Sequence, residues 1–235
     1  MKPEYLEVAE KLKKDLIQGK YQISSRLPDE KELMEIYQAG RPVIRRAMAV
    51  LVNQGVIYPL QQQNYYIRTG TLDGCISLES WTGFSNQFPD RKVAGIPLKL
   101  ELIAADEEMA ARFRVETGTL LYHLKRLRIV DEEPYAVESS WFSKDKAGEL
   151  TVEIAKGSIY RYLTKEQQLT IGYADRILSA DKLTAEEADL LCLSENDPAF
   201  RVQNTVFLSD GSIVEISDVV HHYKKYKMTK LSGWS

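Results

Sequence analysis

The period of the apolar positions changes along the chain, and the changes predict two blocks of structure. Tyr5, Val8, Ala9, Leu12 and Leu16 recur at the three- and four-residue spacing of one helix face, and Gly19 ends that helix. Asp29 with Glu32 forms a capping box, so a second helix starts near Glu30 with Leu33, Ile36 and Tyr37 as its buried stripe. Ala39-Gly40 breaks it. A third helix starts near Arg41, where Pro42 is tolerated because a first-turn N–H has no helical acceptor. Val43, Ala47, Val50 and Leu51 line its inner side, and Gly55 stops it. Residues 56–60 and 64–67 read as two short strands around a tip of Gln61-Gln62-Gln63-Asn64. Three helices and a terminal hairpin in this order predict a winged helix-turn-helix.

Beyond Thr69-Gly70-Thr71-Leu72-Asp73-Gly74, a run of small and turn-forming residues, the period shortens to two. Residues 97–103 alternate Leu98, Leu100 and Leu102 with Lys99 and Glu101, as a half-buried strand does. A helix at 106–114 follows, then a long strand at 119–130 that turns through Asp131-Glu132-Glu133-Pro134 into 135–142. Residues 158–163 open a helix after Gly157, and 171–180 read as a strand. Thr184 with Glu187 caps another helix that ends near Leu191. Residues 200–208 and 213–222 flank Ser209-Asp210-Gly211-Ser212, a strong hairpin signal. The pattern is α+β with a mostly antiparallel sheet. The predicted division is a head at 1–68, a linker at 69–74 and a second domain at 75–235.

Composition adds a charge asymmetry. The 235 residues are 44% apolar and 28% charged, with a formal net charge of −3, which excludes a general affinity for nucleic acid. Residues 1–68 hold 11 Lys and Arg against 8 Asp and Glu, whereas the remainder holds 20 against 26. A mildly basic head on an acidic body suits DNA binding by the head alone. Cys75 and Cys192 are too few for a disulfide framework. No leader-like opening and no bilayer-length apolar run occurs, so the expected location is the cytoplasm, with no membrane partner.

Several side chains suggest chemistry. Arg41, Arg45 and Arg46 lie on the outer side of the third helix, in the N-terminal turns through which a recognition helix touches bases and phosphates. A solvated basic face is the alternative. Arg126 and Arg128 share a strand face with Tyr122, Leu124 and Val130, their Cα atoms about 6.5–7 Å apart. If that face is buried they need an anionic partner, either Glu138 or another neighbouring acid, or a bound anion. Ser158 is a helix N-cap and also a place where phosphate can sit. Glu215, His221 and His222 share the last long strand, but adjacent histidines point to opposite faces and cannot easily hold one ion. With no nucleophile–base pair, no metal-ligand set and no Gly-rich phosphate loop with a lysine, the residues predict no enzyme, no metal and no cofactor.

As a set, Leu27-Pro28-Asp29-Glu30-Lys31-Glu32-Leu33 and Gly40-Arg41-Pro42-Val43-Ile44-Arg45-Arg46-Ala47-Met48 resemble the DNA-binding domain of GntR-family transcription regulators. Arg41 and Arg45 match that family's DNA-contacting arginines. Lys31 stands where the family has a third, which keeps the charge but not the bidentate fork. Gly40 replaces a serine cap. The family's wing tip is commonly Gln-Gly-Lys-Gly, and the glycine-free, uncharged tip here implies altered wing contacts.

The second domain resembles the UTRA effector-binding domain of the HutC-type subfamily. The matching residues are Lys125-Arg126-Leu127-Arg128, Val137-Glu138-Ser139, Gly157-Ser158-Ile159-Tyr160 and Asp210-Gly211 followed by Glu215. The resemblance implies a chorismate-lyase-like fold used for binding, and a homodimer that reads a two-fold related operator. It implies a phosphate held by Arg126, Arg128 and Ser158 beside Tyr160, a sugar contacted by Phe84 and Ser85, and sugar hydroxyls accepted by Glu215 and bounded by Glu138. His221 stands where the family has an aromatic pocket residue, so the ligand is expected to differ and its affinity to vary with pH near neutrality. The expected function is a transcription repressor that binds double-stranded operator DNA and is controlled by a small anionic effector, a phosphorylated sugar. The alternatives are a ligand-independent DNA-binding protein and an enzyme on the lyase-like fold.

Overall fold

A computed structural model of the chain describes residues 3–21, 26–60, 64–68, 75–78, 83–88 and 91–230. The wing tip 61–63 and the linker 69–74 lie outside the described residues. The head consists of α1 (Glu4–Ile17), α2 (Glu30–Tyr37) and α3 (Arg41–Asn53), followed by the antiparallel hairpin of β1 (Ile57–Leu60) and β2 (Asn64–Ile67). The capping box forms as expected: Glu32 N donates to Asp29 Oδ1 at 2.9 Å, and Asp29 N donates to Glu32 Oε2 at 2.8 Å.

The buried stripe of α3 is turned by one residue from the predicted one. Ile44, Ala47, Met48 and Leu51 are buried, whereas Val43 and Val50 flank them half-covered. On α2, Leu33 is buried and Met34 and Tyr37 pack beside it, but Ile36 is 45% exposed. The eight-residue helix ends at Gln38 in the left-handed conformation, and its inner side is wide enough only for positions 33, 34 and 37.

A short strand β3 (Cys75–Ser77) follows the linker. The second unit is built on a six-stranded antiparallel sheet of β4 (Val93–Ala104), β5 (Leu120–Val130), β6 (Glu133–Ser143), β7 (Ile171–Lys182), β8 (Pro198–Leu208) and β9 (Ile213–His222). In space the order is β4-β5-β6-β9-β8-β7. Asp131 and Glu132 both take positive φ, 49° and 69°, the hand that a two-residue hairpin between twisted strands requires. The last strand β10 (Lys227–Thr229) pairs in parallel with β3. The chain divides into two compact units, residues 1–81 with 227–235 and residues 82–226.

Two helices cover one face of the large sheet. Met109, Ala110 and Phe113 of α4 (Glu107–Phe113) pack with Leu121, Phe207, Ile213 and Ile216. Between β6 and β7 the chain forms α5 (Lys144–Ala147), α6 (Val152–Lys156) and α7 (Ile159–Arg161), and α7 runs into a π-helical turn at Tyr162–Glu166. Leu183, Ala188 and Leu191, at and within α8 (Ala185–Leu191), pack with Val137, Ala199 and Val220. On β4 only Leu100 of the predicted alternation is partly covered. Leu98 and Leu102 are over 40% exposed, because β4 is an edge strand and its register slips between Pro97 and Lys99.

Asp29→Ala removes a side-chain cap from α2 without touching the core. It is expected to cost about 1 kcal/mol in the head's unfolding transition, measured by denaturant unfolding.

Candidate functional site

Two places hold the residues singled out from the sequence. The first is the outer side of α3. Arg41 and Arg45 are exposed, and both lean on one carboxylate: Arg45 Nε lies 2.8 Å from Glu30 Oε1 and Arg41 Nε 3.4 Å from Glu30 Oε2. Arg46 lies 5.7 Å above the Tyr5 ring, and Lys31 is exposed on α2. Surface pairs of this kind are weak and are readily exchanged for phosphate.

The second place is the sheet face opposite α4 and α8. Register puts Arg126 and Arg128 of β5, Glu138 and Ser140 of β6, Glu215, Ser217 and His221 of β9, Asn204 of β8 and Arg176 of β7 on that one face. Arg126, Arg128, Glu138, Ser140, Asn204, Glu215, Ser217 and His221 are all buried. Arg126 donates to Glu138 Oε1 at 2.7 Å and to the carbonyls of Ala155 and Gly157 at 2.9 and 3.3 Å. These carbonyls lie at the end of α6, which the Gly157 turn lays over the sheet.

Arg128 is less well served. Its Nε is 3.8 Å from Glu138 Oε2, too long for a hydrogen bond, and its Nη2 donates to Ser85 Oγ at 3.4 Å. The guanidinium sits 4.5 Å over the Phe84 ring. Gly95 makes room for it, since a Cβ there would come within 3.1 Å of Arg128 Nη1 and 3.3 Å of the Ala155 carbonyl. Arg128 Nε and Nη1, Arg126 Nε, Arg176 Nε and Nη1, Asn204 Oδ1 and His221 Nδ1 are buried with no hydrogen-bond partner. Five of these atoms are guanidinium donors, and among the described residues nothing accepts from them, so the face is made for acceptors brought by a ligand.

The two carboxylates are driven apart in pKa. Burial pushes Glu138 up, but the charges of Arg126 and Arg128 overcome it and hold it down to about 2. Burial and the neighbouring Glu138 charge push Glu215 up to about 7, opposed by the Tyr160 hydroxyl that bonds its Oε2. Ser140 Oγ stands 2.9 Å from Glu138 Oε1 and 3.2 Å from Glu215 Oε1. One hydroxyl proton cannot serve both, so the second contact becomes a hydrogen bond only when Glu215 carries a proton. Burial lowers Arg128 to about 10, opposed by Glu138, which leaves it a cation at neutral pH.

Burial also holds His221 neutral, at about 3, stacked on Tyr226 with 3.6 Å between ring centroids. The expectation that His221 would confer pH dependence near neutrality is corrected: the group that titrates there is Glu215. Ser158 Oγ caps α7 by accepting from Arg161 N at 3.3 Å.

Phe84, Ser85, Arg126, Arg128, Glu138, Tyr160, Glu215 and His221 thus form a contiguous set, with Ser158 one residue from the Gly157 carbonyl that Arg126 holds. The sequence reading missed Arg176, Ser140 and Asn204. A signal for Arg176 existed: on β7 it shares a face with Ala174, Leu178 and Ala180, the same intrusion of a cation into an apolar face that marks Arg126. Among the described residues no group of three or more His, Cys, Asp or Glu side chains is placed to hold a metal ion, and no helix is long and apolar enough to cross a membrane.

A winged helix-turn-helix joined to a sheet with a buried, cation-rich polar face is the build of a ligand-responsive DNA-binding regulator. Comparison with known proteins makes the class particular. Residues 4–67 match the gntR family of bacterial regulatory proteins, and residues 91–227 match the UTRA domain. The chain belongs to the GntR family and carries a UTRA effector domain. It is 26% identical to the HTH-type transcriptional repressor NagR of Bacillus subtilis over 95% of this chain and 92% of that protein. It is 23% identical to the mannosyl-D-glycerate transport/metabolism system repressor MngR of Escherichia coli over 98% and 96%. The fold superposes on the crystal structure of the possible transcriptional regulator YydK of B. subtilis with a TM-score of 0.83, at 23% identity over 99% of this chain and all of that one.

The raised pKa of Glu215 has a consequence for stability. Its folded value of about 7 lies above the ordinary 4.5, so ionisation opposes folding. The stabilisation from its protonated form is complete below about pH 4.5 and is lost as pH rises through 7, a fall of roughly 3 kcal/mol. Glu215→Gln keeps a neutral group there and is expected to flatten this segment of the thermal midpoint against pH. Parallel curves for variant and wild type would show that Glu215 is ionised throughout.

Proposed function

We propose that this protein is a transcription repressor whose homodimer binds a two-fold related operator through Arg41, Arg45, Arg46 and Lys31, and leaves it when a phosphorylated sugar binds the second domain. The head at 1–68 and the effector and dimerisation part at 75–235 are joined through 69–74, with the β3–β10 pair packed in the head's compact unit. Arg126, Arg128 and Ser85 hold the phosphate, with Ser158 at the edge of that end. Glu138, Glu215, Tyr160, Phe84 and His221 bound the sugar. The observation that carries this reading is the burial of two guanidiniums against one ionised carboxylate, with Arg128 Nε and Nη1 unsatisfied. A buried cation without a full partner is costly, and a phosphate supplies both the charge and the acceptors. NagR and MngR are both repressors by name, which supports the sign of regulation. Release requires the effector to bind the operator-free conformation more tightly, because equal affinity for both shifts nothing.

The test is a titration of the protein onto fluorescent DNA from upstream of its own gene at several salt concentrations, followed by addition of phosphorylated sugars. Specific binding that weakens steeply with salt is expected, with Arg45→Ala costing about 1–3 kcal/mol. One of the phosphorylated sugars should release the DNA from wild type and fail to do so with Arg126→Ala. Absence of any preference over unrelated DNA at low salt would overturn the operator reading. Turnover of an added compound would favour an enzyme.

A further inference from the structure

We propose, building on the anionic-effector reading above, that the effector carries a second acidic group, a carboxylate, and that Arg176 with Asn204 and His221 forms the subsite that receives it. The ligand class is then a phosphorylated sugar acid rather than a phosphorylated neutral sugar.

The argument starts from where the cations lie. Arg126 donates to Glu138 and to two backbone carbonyls, and Arg128 has only a longer 3.8 Å approach to the same carboxylate, so one positive charge is left in excess at the β5 end of the polar face. Arg176 is a third guanidinium on the same face, at the β7 end, and makes no hydrogen bond or ion pair among the described residues. Its Nε and Nη1 are buried without a partner. From β5 to β7 there are four inter-strand spacings, about 19 Å along the sheet. Arg128 stands in the row of Ala136, His221, Phe200 and Ala180, four residues along β7 from Arg176, which adds about 13 Å along the strands. Neither guanidinium is among the charges that act on the other, so one phosphate at Arg128 does not serve Arg176. The two unmatched cations therefore call for two separated anionic groups on one ligand.

The neighbours of Arg176 fit a carboxylate. Register places it directly beside Asn204, and then Ser217 and Ser140, in one row across the sheet. Asn204 is buried, with Nδ2 donating to Ser217 Oγ at 3.1 Å and Oδ1 unpartnered. Turned over, the same amide accepts from the Ser217 hydroxyl and offers Nδ2 to a ligand. His221 Nδ1 is also buried and unpartnered, and in a neutral ring it can carry the donated hydrogen. Arg176 is near enough to His221 to oppose its protonation, which places the two in one neighbourhood. Among the described residues no carboxylate is paired with Arg176: Glu138 is held by Arg126 and Arg128, and Glu215 by Tyr160 and Ser140. A guanidinium beside two neutral donors is a receptor for a planar carboxylate.

The experiment uses the full chain and matched pairs of compounds that differ in one carboxylate. The pairs are sorbitol 6-phosphate with 6-phosphogluconate, and glycerol phosphate with 3-phosphoglycerate. Affinities are read by calorimetry, with inorganic phosphate as reference. In at least one pair the acid is expected to bind about ten- to a hundredfold more tightly, the worth of one charge-assisted contact. Arg176→Gln should bring that ratio close to one, and Arg176→Lys should keep part of it. Arg128→Gln should weaken both members of the pair. Equal binding within every pair, or an acid preference that survives Arg176→Gln, would overturn the second subsite while leaving the phosphate reading in place. If neither the compounds nor inorganic phosphate binds, the anionic-effector reading falls and this inference with it. Arg176 is on an edge strand with its surroundings partly open, and an unchanged thermal midpoint of the ligand-free variants confirms that they fold.

Discussion

The carboxylate of Glu138 lies between two guanidiniums that the alternation of β5 forces into the interior. Tyr122, Leu124 and Val130 must be buried to build the sheet, and period two carries Arg126 and Arg128 inward with them. Leaving those charges bare in a low-dielectric interior would cost several kcal/mol each. Glu138 is directly opposite Arg126 in register, and the Gly157 turn brings two more acceptors from the end of α6. The placement of α6 and α7 over the sheet follows from this need. A change in the 155–158 backbone would disturb Arg126, and through it the rest of the face.

The protein leaves the compensation incomplete, and the incompleteness has a direction. Toward β9 the chain of contacts runs from Glu138 through Ser140 to Glu215 and Tyr160, and proton counting favours a neutral Glu215. One carboxylate is therefore held as an anion and its neighbour is held near the point of titration by the same environment, as happens when two acids share a buried site. The face keeps an excess of positive charge while it offers both donors and acceptors. Such a surface discriminates by leaving its own polar groups unpaired when the wrong ligand enters.

Much of this was legible in the alternation of the sequence. Arg126 and Arg128 stood out because they interrupt an apolar strand face, and both partners allowed for them, an acid on the next strand and a bound anion, are compatible with the structure. The capping boxes at Asp29 and Thr184 were legible because each rests on two side chains three residues apart. What was not legible depended on neighbours far away in sequence. Ile36 fits a helical stripe as well as Met34 does, and only the width of the partner surface decides between them. Leu98 and Leu102 were expected to be half-buried, but nothing local says that β4 is an edge strand. Arg176 was overlooked for the converse reason. It lies in a strand of weak alternation, and its relation to Arg128 exists only once three strands have been placed between them.

The ligand's binding energy reaches DNA only if some element has two arrangements that both sites bias. Arg68, the residue after β2, is a candidate for the joint. Its backbone N–H donates to Val56 O at the base of the wing, and its guanidinium donates to Thr229 Oγ1 at 2.7 Å and to Gly55 O at 3.5 Å. Thr229 belongs to β10, which is separated only by the turn at 223–226 from β9, the strand that carries Glu215 and His221. Within that turn, Tyr226 stacks on His221. The next residue in the chain begins β10. The wing base is thus joined by the Arg68 side chain to β10 within the head's compact unit.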